Sequence, residues 1–116
     1  MELTVHAIER IYDRTEMRPK DVLSVISGGA VVDLGMDNKG RQYFLFYSPN
    51  DNDAKVAVVS MGPTRVITIL KSGYILPRGV KRVTRRLKEE ARALLQKFVL
   101  ARINANRPLS ESPEAV

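Results

Sequence analysis

The chain has no cysteine. That removes disulfides, thiolate metal sites and a cysteine nucleophile from consideration. It has a single histidine, His6, whereas a zinc site draws on several His or Cys ligands. No metal and no other cofactor is expected. No apolar run approaches the roughly 20 residues that a membrane span needs, and the N-terminus carries no apolar signal-peptide core. The expectation is a cytoplasmic protein without a membrane partner. Asp51 and Asp53 sit in a polar loop with no further ligand set behind them, which fits a hairpin connection rather than a calcium loop.

What is present is ordinary in amount and uneven in place. The 116 residues are 44% hydrophobic and 28% charged, a composition typical of one soluble domain with a real core. The net charge is +6, but residues 1–77 hold nine cations and nine acids and balance to zero. Residues 78–107 hold ten Lys or Arg against Glu89 and Glu90. The basic character therefore belongs to one C-terminal stretch, which suits nucleic acid or an acidic partner. A solvated helix face would have the same composition.

Periodicity gives an α+β domain over residues 1–106, in the order α-α-β-β-β-β-α, followed by a disordered tail at 107–116. Residues 4–14 predict a short amphipathic helix. Pro19 fits the first turn of a second, which Gly28-Gly29 ends. Four runs then read as a four-stranded antiparallel meander: Ala30–Met36, Gln42–Ser48, Lys55–Met61 and Arg65–Leu70. After a connection at 71–77, a long basic helix is expected over about 80–105. Val83, Leu87, Ala91, Leu94 and Phe98 form its apolar stripe. At ~1.5 Å per residue it would be about 40 Å long, so it must bend, overhang the body or pair with a second copy as a homodimer.

Two sets of residues suggest a function. His6, Arg10 and Arg14 are four apart and share a helix face. Val5, Ile8, Ile11 and Tyr12 form the other side. Histidine is the side chain whose ordinary pKa lies near neutrality, and paired guanidinium donors suit a phosphate. The same spacing serves a capping histidine and arginines paired to Asp13, Glu16 or Asp33. The second set is Lys81, Arg82, Arg85, Arg86, Lys88 and Arg92. Lys81, Arg85, Lys88 and Arg92 step along one helical side and could follow a phosphate backbone.

The run His6-Ala7-x-x-Arg10, then Arg14, Met17, Pro19 and four strands ending in Val66-Ile67-Thr68-Ile69, resembles the BrnT-like and RelE-like small bacterial ribonuclease toxins and their relatives. The resemblance spans about residues 5–70. It implies a small sheet that binds RNA together with the first helix, and an antitoxin as a protein partner. It further implies a metal-independent endoribonuclease that cleaves RNA by 2′-hydroxyl attack. His6 would be the acid or base, Arg10 and Arg14 the phosphate clamp, and Thr68 a hydroxyl on the last strand. Arg41, Arg65 and Tyr43 would add RNA contacts, Tyr43 by stacking on a base or by donating its hydroxyl to phosphate. The alternatives are a non-enzymatic basic module that binds nucleic acid or an acidic host protein, as a phage or mobile-element product would, and a structural homodimer.

Overall fold

A computed structural model describes residues 1–61 and 64–105. The order is β1 (Glu2–Leu3), α1 (Val5–Arg14), α2 (Pro19–Ser27), β2 (Val32–Met36), β3 (Gln42–Ser48), β4 (Asp53–Val59), β5 (Arg65–Ile69) and α3 (Arg85–Ala105). Among the described residues the fold is thus α+β, with three α-helices, the last one following the sheet, a 3-10 turn at Pro49–Asp51 and one sheet. No helix among the described residues is long and apolar enough to cross a membrane. The expected tail lies outside the described residues.

The sheet has five strands, not four, in the order β1-β5-β4-β3-β2. Strands β2 to β5 form the antiparallel meander. The extra strand is β1, which pairs parallel to β5 with Glu2 opposite Arg65 and Leu3 opposite Val66. Two residues are too short to show an alternation, so the sequence pattern gives no sign of it.

Local chemistry fixes the first two helices. Thr4 caps α1: its Oγ1 accepts the Ala7 amide at 3.0 Å and donates to the Ile67 carbonyl at 3.1 Å. Pro19 occupies the first turn of α2, whose preceding residue, Arg18, makes no side-chain cap bond. At the far end the Gly29 amide reaches Ile26 O and the Ala30 amide reaches Val25 O. This is a Schellman closure, and Gly29 supplies its positive φ of 78°.

Register separates the two sheet faces. Phe44 lies opposite Ala57, and Ala57 opposite Ile69. Phe46, Ala57, Val59, Val66 and Ile69 are all fully buried. Ala7, Ile11 and Val22 of the first two helices are equally buried, and with α3 on the other side α1 and α2 cover this face. Fully burying the Phe, Ile and Val side chains among them contributes about 1.5–3 kcal/mol each, and this face is one half of a core that continues on the other. The other face carries Tyr43, Leu45 and Tyr47 with their partners Val58, Val56 and Ala54. Helix α3 crosses it, touching β2, β3 and β4, with the Arg92 guanidinium 5.9 Å above the Tyr47 ring.

Helix α3 begins at Arg85, five residues later than expected. Val80 is instead bridged to Gly35 on the outer edge of β2, and the Lys81 amide donates to Leu34 O at 2.7 Å. Thr84 then caps the helix, accepting the Leu87 amide at 3.2 Å. Lys81, Arg82 and Val83 therefore precede the helix, and the expected basic side from Lys81 to Arg92 is not one helical row. Two glycines allow the edge contact. Gly35 (φ 107°) and Gly79 (φ 91°) meet backbone to backbone, and a Cβ on Gly35 would lie 2.7 Å from Gly79 O. Residues 71–84 thus form a strap clipped to the sheet edge. Past Leu95, only Phe98 of α3 is even half-buried. Its ring packs on Gly28, where any Cβ would strike it. The end of the helix overhangs the body.

Candidate nucleic-acid interface

The α1 residues are separately engaged. Arg10 Nη1 pairs with Asp13 Oδ2 at 3.0 Å. Arg14 Nη1 donates to the Ile69 carbonyl at 2.6 Å, capping the free edge of β5. His6 is exposed and lines neither of the grooves described below. Thr68 lies opposite Val58, whose other neighbour is Tyr43, so it projects to the face that α3 crosses. His6, Arg10, Arg14 and Thr68 do not converge on a common point. Nor does His6 share a cleft with Arg85, because α1 and α3 lie on opposite faces.

Arg41 and Tyr43 meet at a buried carboxylate. Asp37 accepts the amides of Lys39 and Arg41 at 2.9 and 3.0 Å, Arg41 Nε at 2.9 Å and the Tyr43 hydroxyl at 3.0 Å. Burial alone would raise this carboxyl, but the donors outweigh it and hold it at about 2. Burial, and then the Asp37 carboxylate, push the Tyr43 hydroxyl up. With 5% of its surface exposed, Tyr43 presents no face on which a base could stack. The group is a turn lock for residues 37–41. Arg65 is exposed and lies 3.4 Å from Glu2.

The basic stretch divides in two. Lys88 Nζ binds Asp53 Oδ1 at 2.8 Å, and Arg92 sits on Tyr47, so both cations hold α3 to the sheet. Burial raises the Asp53 carboxyl, but the Lys88 hydrogen bond and the Ala54 amide bring it below the ordinary value. Lys81, Arg82, Arg85 and Arg86 are exposed.

The strap and the sheet enclose a groove of about 530 Å³. Val56, Leu70, Val80 and Val83 give it an apolar lining. Lys55, Lys71, Arg82 and Lys88 also line it, against a single acid, Asp53. Lys55 reaches Ser72 Oγ at 3.3 Å across the open end. Tyr74 and Ile75 stand on the rim, 59% and 90% exposed. Sequence reading treats 71–77 as a plain connection and misses Lys55, Lys71 and Tyr74. The available signal is Tyr74-Ile75-Leu76, an apolar triplet in a loop bounded by Lys71 and Arg78. Among the described residues, no group of three or more His, Asp and Glu is placed to hold a metal ion.

No protein-family model, curated protein or solved structure matches the chain.

Proposed function

We propose that the protein is a non-enzymatic binding module that holds single-stranded RNA in the groove between the strap and β4–β5. One observation carries this reading. Four cations surround an apolar floor with one opposing acid, and an exposed tyrosine stands at the rim. Single-stranded nucleic acid is held by this combination, cations for the phosphates and an aromatic face for a base. The exposed Lys81, Arg85 and Arg86 extend the positive field away from the groove. The endoribonuclease reading asks His6, Arg10, Arg14 and Thr68 to act on one phosphate, and their separation favours binding without cleavage.

The test is fluorescence anisotropy with a labelled single-stranded RNA in EDTA, over a range of salt. Three groove cations without a salt bridge among the described residues (Lys55, Lys71 and Arg82) predict a log–log salt slope of about −2. Lys71→Glu with Arg82→Glu should abolish binding, His6→Ala should leave it unchanged, and the RNA should stay intact on a gel. Absence of binding at low salt, or binding indifferent to the double reversal, refutes the reading. Cleavage by the wild-type protein but not by His6→Ala would establish the ribonuclease instead.

A further inference from the structure

A second groove, of about 450 Å³, lies between α2 and the overhanging part of α3. Met17, Val25, Leu95 and Phe98 form its apolar side, and Glu16 and Asp21 bring acids to its rim. The overhang beside it is built from complementary materials. Val99, Leu100 and Ile103 are 44%, 60% and 53% exposed, and their spacing puts them on one helical face. From Ala91 to Ala105 the helix carries Arg92, Lys97 and Arg102 and no acid at all. Arg18 and Arg102 line the groove as well; Arg18 already pairs with Asp21, so the carboxylate left to meet a cation is chiefly that of Glu16.

We propose that the occupant of this groove is the α3 overhang of a second copy of the chain, giving a two-fold homodimer. Val99 and Ile103 line the groove as well as belonging to the overhang. The same residues therefore lie on both sides of the contact, as a two-fold interface requires. Charge fits the arrangement too. Among the described residues, Asp21 is held only by Arg18, at 3.4 Å and at the surface. Glu16 has no salt bridge among the described residues, so Arg102 and Lys97 of a second copy find acceptors there. The site is separate from the basic groove, and the proposal does not depend on RNA binding.

Sedimentation of the full chain tests it. The wild-type protein should sediment as a dimer that dissociates on dilution. Ile103→Glu, at an exposed position, should weaken association by about ten-fold or more while the circular dichroism spectrum stays unchanged. Arg102→Glu and Glu16→Lys should each be monomeric alone, because each places like charges together. An equimolar mixture of the two should dimerise, since opposite charges then face each other in both grooves. A wild-type protein that stays monomeric up to about 1 mM overturns the proposal. So does a dimer indifferent to Ile103→Glu, or a mixture of the two charge variants that stays monomeric.

Discussion

Gly35→Ala is the sharpest probe of the strap. Gly35 has φ of 107°, a conformation that costs an L-residue about 1–3 kcal/mol. Its new Cβ would also lie 2.7 Å from the Gly79 carbonyl oxygen. That atom is backbone and cannot swing aside, so the strap must lift. Lifting it threatens the 2.7 Å bond from the Lys81 amide to Leu34 O and the Gly35–Val80 bridge, at about 1 kcal/mol for each hydrogen bond. Alanine stiffens the unfolded chain and returns about 0.4–1 kcal/mol. The net loss is about 2–4 kcal/mol, a large share of the roughly 5–15 kcal/mol that holds a domain folded. Gly29→Ala is the matched control. Its φ is also positive, at 78°, but nothing lies within 4 Å of the added carbon. It should cost about 1 kcal/mol. Urea unfolding followed by circular dichroism reads both, as a shift in midpoint at constant slope. Equal losses for the two variants would refute the backbone contact, and the clipping of the strap with it.

Further outcomes follow from the polar contacts. Stability should fall with acid between about pH 4 and pH 2. Asp37 titrates near 3.8 when free and at about 2 in the fold, so its contribution is complete above the first value and lost on approaching the second. Tyr43→Phe removes one donor, brings the folded value closer to the free one and should flatten that part of the pH–stability curve. On α1, Arg10→Ala should change stability by less than about 1 kcal/mol, as exposed pairs do. Arg14→Ala leaves Ile69 O with only the long contact from Thr68 Oγ1 at 3.5 Å and should cost about 1–2 kcal/mol more, measured by the same urea midpoints.

Features set by neighbours in sequence were legible before the structure. Pro19 opens α2, Gly28-Gly29 closes it, and the turn at Asp37–Gly40 separates two strands whose alternation is plain. Features set by distant partners were not. Residues 80–84 have the composition of the helix that follows, and only Gly35, some forty-five residues earlier, pulls Val80 onto a strand edge. The candidate site divides in the same way. The spacing of His6, Arg10 and Arg14 correctly places them on one helix. It carries no information that Arg14 will be taken by the Ile69 carbonyl, 55 residues away. The groove is not legible in the sequence because its cations come from β4, the strap and α3, which no single stretch of sequence brings together.

The parallel pairing of β1 with β5 has a consequence for how the chain reaches this structure. Glu2 leaves the ribosome well before its partner, Arg65, which lies 63 positions later. Loop closure over that separation must precede any reward from the contact, which places it among the slow steps of folding. Until β5 is synthesised, Thr4 has its Ala7 amide but not the Ile67 carbonyl, and Arg14 has nothing at Ile69. The first helix thus waits for the last strand.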